Sequence, residues 1–227
     1  MAKKTTSQRT KNAQKPKISG IAADRERLYR AAIAHIAFDG FGADALAHAA
    51  SAAKIDLPRA KILFPNPSRD LWQYFLNDTN RQLAEKLSAV TGKNWKIREK
   101  IAHGVRKKLD ILSPVREVER KALAFGARPS YARAAMKNLY ETCDIIWRAA
   151  GDTSVDWNFY SKRMLLAGVY TSTLLFWLND DSDGYEDTHR FLSRRIDNVM
   201  MIQKIKSAFK NRDTISSAMD LFKKFAA

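Results

Sequence analysis

The sequence predicts an all-α fold, with a helix-turn-helix-type three-helix unit near the N-terminus and a larger helical part after it. Three observations carry this. Apolar residues recur at helical spacing in stretch after stretch of the 227 residues. Nine Gly and six Pro are few for a β-rich chain of this size, while Ala, Leu, Lys and Arg dominate. Three short helical stretches, the second and third joined by a tight turn, lead into a longer fourth.

Taken in order, residues 1–19 hold Lys3, Lys4, Arg9, Lys11, Lys15 and Lys17, no acid and no apolar face. They read as a disordered basic tail, not a secretory or transit segment. Region 20–90 is the helix-turn-helix-like part. Its first helix runs from Ala22 to Phe38 on Leu28, Ala31, Ala32, Ile36 and Ala37, and Gly40 and Gly42 break it around Phe41. A second helix, Asp44 to Ala52, turns Leu46 and Ala50 inward. A third spans Pro58 to Phe64, with Pro58 suited to a first turn and Asp56 or the next residue to the cap. Pro65 and Pro67 end it. The fourth runs from Ser68, read as its cap, to Ala89, on Leu71, Phe75, Leu76 and Leu83.

Region 91–197 continues with helices from Trp95 to Leu112, from Ser113-Pro114 to Gly126, and from Ser130 to Ala150, the last stopped by Gly151. A further helix contains the uncharged run Met164–Leu178, and another starts at Tyr185 after the turn Asp181-Ser182-Asp183-Gly184. Region 198–227 reads as amphipathic C-terminal helices. The uncharged run has 15 residues, short of the roughly 20 that span a bilayer, so a soluble or peripheral protein is expected.

The formal net charge is +16, of which the first 19 residues supply +6. Such a surface attracts polyanions, either nucleic acid or an anionic membrane face. The N-terminal layout resembles TetR-type regulators, whose second short helix of the motif enters the major groove. The matching stretch is Arg59-Ala60-Lys61-Ile62-Leu63-Phe64. Lys61 stands where that family has a phosphate-contacting Tyr, and Leu63 replaces an aromatic. No Asn, Gln, Ser or Thr lies on Pro58–Phe64 to read a base edge.

The chemistry-bearing residues lie further on. Met164, Leu165, Val169, Leu174, Leu175, Phe176 and Trp177 cover more than one stripe of their helix, so it is expected to be enclosed on most sides, by core or around an apolar ligand. Trp157, Phe159 and Tyr160, bracketed by Asp156 and Lys162, suit either a protein interface or a staple at the helix entry. Ile202, Ile205 and Phe209, then Ile215, Ala218, Met219, Phe222 and Phe225, form apolar faces flanked by Lys204, Lys206, Lys210, Arg212, Lys223 and Lys224. That profile fits a helix in a membrane interface, a docked core helix or a dimer face. Cys143 reads as a buried structural thiol. Glu186-x-x-His189 is half of a di-iron helix pattern without a second copy, and His35, His48 and His103 read as isolated. No catalytic residue, metal site or cofactor is expected.

Over 151–196 the text becomes specific. Gly151-Asp152, the Asp156-aromatic-Asn158-aromatic-Tyr160 run and Glu186-Asp187-Thr188-x-Arg190-Phe191-Leu192 resemble the Coq-nine family of ubiquinone biosynthesis proteins. Weaker likeness through Leu109-x-x-Leu112-x-Pro114 and the helix-turn-helix extends it over most of residues 22–205. Trp157 and Phe159 stand where the family carries its two aromatics in the opposite order.

The resemblance implies a TetR-like fold that has exchanged DNA for lipid. It implies a non-catalytic protein that binds an isoprenoid lipid or ubiquinone precursor and assists the di-iron demethoxyubiquinone hydroxylase. Met164, Leu165, Val169, Leu174, Leu175 and Trp177 become the lipid-binding set. Asp144, Ile146, Trp147, Asp156, Phe159 and Tyr160 become the patch for the hydroxylase. Independently of the resemblance, the basic excess beside their apolar faces makes Ile202, Ile205, Phe209, Met219, Phe222 and Phe225 the expected membrane-binding set. A homodimer is expected, cytoplasmic and peripheral on the inner membrane in a bacterium, or on the matrix side of the inner membrane in a mitochondrion, with specific DNA not a partner. The alternative is a TetR-type transcriptional regulator with an apolar effector.

Overall fold

A computed structural model describes residues 16–88, 95–153, 157–199 and 201, with the side chains of 16–19 and 157–160 outside the description. Among the described residues every regular element is helical. They are α1 (Pro16–Asp39), α2 (Ala43–Ala53), α3 (Leu57–Leu63), α4 (Pro67–Ser88), α5 (Ile97–Leu112), α6 (Arg116–Gly126), α7 (Pro129–Ala149), α8 (Trp157–Trp177) and α9 (186–199). Short 3₁₀ turns, Ser113–Val115 and Asp183–Tyr185, lead into α6 and α9. The helices fall into two compact units. One holds the chain through Asp78 with Val115–Tyr131, and the other holds Thr79–Pro114 with the chain from Ala132 on.

The first unit contains the helix-turn-helix. α1 starts at Pro16, so residues 16–19, expected in the tail, are helical. Leu28, Ala32 and Ile36 repeat at four-residue spacing and are fully buried. Gly40, at φ +74°, takes the left-handed turn that ends the helix, a conformation an L side chain disfavours. Asp56 caps α3 by accepting from the Arg59 N–H at 3.2 Å. For α4 the expected cap moves from Ser68 to Asn66: its side-chain Oδ1 accepts from Arg69 N–H at 3.4 Å, and its own backbone N–H donates to the Asp70 carboxylate at 2.9 Å. Trp72, 1 % exposed, donates its indole N–H to the Ala122 carbonyl at 3.1 Å, which fixes α6 in this unit. Phe125 of α6 completes an aromatic cluster with Phe41 and Trp72.

In the second unit Ile101, Val105, Leu109 and Leu112 of α5 meet Cys143 and Ile146 of α7 and Leu166, Val169 and Leu174 of α8 in a common core. A Cβ on Gly104 would lie 2.6 Å from Ile146 Cγ2, so glycine there sets how closely α5 and α7 approach. Lys108 is buried among these helices and donates to Thr79 Oγ1 and Asn80 Oδ1, each at 2.9 Å, while Thr142 donates to Asn80 Oδ1 at 2.8 Å. A lysine so deep requires such acceptors, since desolvating an ammonium without them is prohibitive. Cys143 is fully buried, as expected, and burial pushes its thiol up to about 12, which keeps it protonated and inert.

Candidate functional site

The site of interest is built on the α7–α8 junction of the second unit. Arg163, nearly two turns into α8, is 1 % exposed. Its guanidinium pairs with Asp144 of α7 at 2.7 Å and with Asp152, just past α7, at 3.1 Å. Each acid also holds a second cation: Asp144 pairs with Arg148 at 2.7 Å, and Asp152 with Lys162 at 2.8 Å. Gly151 makes the sharp exit from α7 at φ +91°, which delivers Asp152 to this cluster. The Trp147 indole donates to the Lys162 carbonyl at 3.1 Å and carries the Lys162 ammonium 5.6 Å from its ring centre. α7 and α8 are thereby locked in register.

That register opens an apolar slot of about 70 Å³ lined by Ile97, Ile101, Trp147, Leu165, Leu166, Val169, Ile196 and Val199, with Arg98 and Lys162 also on its wall. Next to it lies a larger polar chamber of about 440 Å³ between α5 and α9, walled by Trp95, Arg98, Glu99, Ala102, His103, Arg106, Ser193, Ile196 and Asp197. Arg98 and Ile196 belong to both. In the chamber the Trp95 and His103 rings meet edge to face at 4.9 Å. The Arg106 Nε is buried and makes no hydrogen bond among the described residues. A buried donor left without an acceptor is costly, so a ligand oxygen there would be favoured. The two spaces together are amphiphilic: an oily slot running into a chamber of cations, acids and aromatic rings.

At the far end of α8, the Asp180 carboxylate, 5 % exposed, accepts from Ser182 N–H at 2.9 Å and from both the N–H and the hydroxyl of Thr188. Burial alone would raise this carboxyl, but the hydrogen bonds from Ser182 and Thr188 outweigh it and hold the group well below the usual carboxylate range. Thr188 belongs to the Glu186-Asp187-Thr188 motif, so this motif fixes the start of α9, the helix that brings Ile196 and Val199 to the slot. Phe191, from the same motif, stacks on Phe176 at 4.6 Å.

The structure sorts the sequence-expected residues unevenly. Of the lipid set, Leu165 and Val169 line the slot. Leu174 and Trp177 lie in the core, and Met164 and Leu175 are 60 % and 53 % exposed. The expectation that α8 is enclosed on most sides is therefore corrected. Met164, Gly168 and Leu175 fall on an open stripe about 100° around the helix from the slot-facing Leu165 and Val169 at 100° per residue. Of the patch, Ile146 is 1 % exposed against Gly104 and is a core residue unavailable to a partner. Asp144 is held by Arg163 and Arg148, and Trp147 is a wall of the slot. Asp156 lies outside the described residues, as do the side chains of Phe159 and Tyr160 and the whole membrane set, Ile202, Ile205, Phe209, Met219, Phe222 and Phe225. Sequence reading missed the α5 and α9 walls, Ile97, Ile101, Ile196 and Val199, and the chamber. In a linear pattern these residues look like ordinary core positions.

Among the described residues no helix is long and apolar enough to cross a membrane. The fold is similar to that of the TetR transcriptional regulator from Nitrosomonas europaea ATCC 19718, with a TM-score of 0.62 at 18 % identity over 76 % of this chain and 95 % of that one. In sequence the chain is 30 % identical over 183 residues to the ubiquinone biosynthesis protein COQ9, mitochondrial, of Xenopus tropicalis. It is 27 % identical to the human protein of that name, also over 183 residues. Both alignments cover 78 % of this chain and 57 % of the relative, so the chain spans less than two thirds of the length of these relatives. The probable ubiquinone biosynthesis protein coq9, mitochondrial, of Dictyostelium discoideum is 28 % identical over 71 % of this chain and 54 % of its own length. Residues 132–203, which carry the Arg163 cluster, α8 and α9, match the COQ9 family, and the chain is similar in sequence to these COQ9 proteins over about three quarters of its length.

Proposed function

We propose that this chain is a non-catalytic accessory protein of ubiquinone biosynthesis that binds an isoprenoid quinone intermediate and presents it to the di-iron demethoxyubiquinone hydroxylase. The observation that carries the reading is the adjoining of an apolar slot and a polar chamber through Arg98 and Ile196. A ring bearing oxygen substituents needs donors, acceptors and a stacking wall, and the chamber offers Arg98, Arg106, Ser193 and the Trp95–His103 pair. An isoprenoid tail needs an apolar track shielded from water, because exposing it costs about 25 cal/mol per Å². The slot is too small for a long tail, so it would take the segment next to the ring. The remainder would leave past Val199, where residues 202–227 follow.

In this reading those residues, through Ile202, Ile205, Phe209, Met219, Phe222 and Phe225, lie on an anionic membrane and keep the protein peripheral. The homodimer belongs to the same proposal, and its test is sedimentation. Trp147 and Asp144 sit beside the slot, so a hydroxylase docked on them would stand next to the ligand. A DNA-binding role draws less support. Arg59 of α3 is engaged with Asp24, and Ile62, 76 % exposed, puts an aliphatic group where a base-reading side chain would stand.

Mass spectrometry of the protein under native conditions tests the reading. The expected result is an isoprenoid-containing species retained by the wild type, lost in Leu165→Glu, which places a carboxylate in the slot, and kept in Leu175→Glu on the open face of the same helix. Equal retention in both variants would overturn the assignment of the slot.

A further inference from the structure

The first unit contains a side-chain cluster that the lipid reading does not use. His35 and Asp39 stand four residues apart on α1, hence on one face. His48 of α2 faces them: its Nδ1 is 2.9 Å from Asp39 Oδ2, and its ring centre is 5.1 Å from that of His35. One ligand atom from each of the three lies within 4.8 Å of the others. The sequence reading took His35 and His48 as isolated, and the α1–α2 turn brings them together.

We propose that His35, Asp39 and His48 bind a divalent transition-metal ion of the Zn²⁺ class, which staples the end of α1 to α2. Two imidazoles and one carboxylate suit Zn²⁺, Co²⁺ or Ni²⁺ and not the oxygen-seeking Mg²⁺ or Ca²⁺. With bonds of about 2.0–2.1 Å, neighbouring ligands of a tetrahedral ion stand about 3.3 Å apart. The His48–Asp39 separation of 2.9 Å is near that value, and the two side chains are 57 % and 31 % exposed, so both can adjust. The site also lies at the C-terminal end of α1, where the unpaired carbonyls favour a cation. A cation already sits there, since the Lys121 ammonium is 3.4 Å from the Phe38 carbonyl oxygen. Three protein ligands leave a fourth position for water.

The test is titration of tag-free, full-length protein with Zn²⁺ against a chromophoric chelator, with thermal unfolding followed in parallel. One ion bound per chain with micromolar affinity is expected, with a rise in Tm that EDTA reverses. His35→Gln is the deciding variant, because it leaves the His48–Asp39 hydrogen bond in place. It should weaken binding at least tenfold and abolish the Tm shift, and His48→Gln and Asp39→Asn should do the same. His189→Gln, remote in sequence and in the other unit, should bind as the wild type does. Wild-type protein that takes up no ion at millimolar Zn²⁺, or a His35→Gln variant that binds like the wild type, would overturn the proposal. Circular dichroism of each variant establishes that a loss is not unfolding.

Discussion

Replacing Arg163 by Met removes the cation that two carboxylates share at the α7–α8 junction. The side chain is 1 % exposed and Asp152 is 4 % exposed, so the pair lies in a low-dielectric interior. Breaking a buried ion pair by deleting one partner costs about 3–5 kcal/mol, mostly because the surviving charge is left uncompensated. Here Asp152 keeps Lys162 at 2.8 Å and Asp144 keeps Arg148 at 2.7 Å. That retained pairing puts the loss at the lower end, about 3 kcal/mol. For a protein of this size each kcal/mol moves Tm by about 2–4 °C, so Arg163→Met should unfold about 6–12 °C below the wild type in calorimetry. Adding Asp152→Asn removes a carboxylate that has lost its buried guanidinium partner, so the double variant should be more stable than the two single losses added together. A Tm within about 2 °C of wild type for Arg163→Met would refute the reasoning, because it would mean that the cluster is not what holds α7 to α8. Since the same register forms the slot, the variant should also retain less lipid.

Three further outcomes are expected. Gly104→Ala pushes a methyl into Ile146, so denaturant unfolding should show a loss of about 1–3 kcal/mol, and an unchanged midpoint would contradict the close α5–α7 approach. The folded-state pKa of Asp180 is depressed, so the stability it contributes is present above its unfolded value of about 4 and is lost as pH falls below that. Asp180→Asn should flatten the acid limb of a stability-against-pH curve below about pH 4, and an identical limb would remove Asp180 from the capping role. Phe209→Glu combined with Phe222→Glu should abolish flotation with anionic liposomes, whereas undiminished flotation would dismiss residues 202–227 as the membrane contact.

Local signals made much of the helical framework legible in the sequence. Asp56 caps α3 and Gly151 stops α7 for reasons that lie within a few residues of each, and Leu28, Ala32 and Ile36 mark the buried face of α1 by their spacing. What was not legible depends on which helix meets which. The uncharged run of α8 looks enclosed in sequence, yet Met164 and Leu175 are open. The buried charge on the same helix is Arg163, whose counterions come from α7 and from the turn after it. Lys108 looks like a surface residue until Thr79 and Asn80 are brought to it across 29 and 28 positions of chain. Residues 115–131 follow α5 in sequence yet pack with the first unit, through Trp72 and Phe125. The two walls of the slot supplied by α5 and α9 stand about 95 residues apart, between Ile101 and Ile196, and no pattern within either helix links them.

The most direct measurement is photo-crosslinking with an isoprenoid quinone analogue that carries a diazirine on the tail segment nearest the ring, followed by mapping of the adducts. Adducts are expected on Ile101, Leu165, Val169 and Ile196, competed away by the unlabelled quinone and absent in Leu165→Glu. Labelling concentrated on Met164 and Leu175, or labelling that unlabelled quinone does not displace, would contradict a ligand held between the apolar slot and the polar chamber.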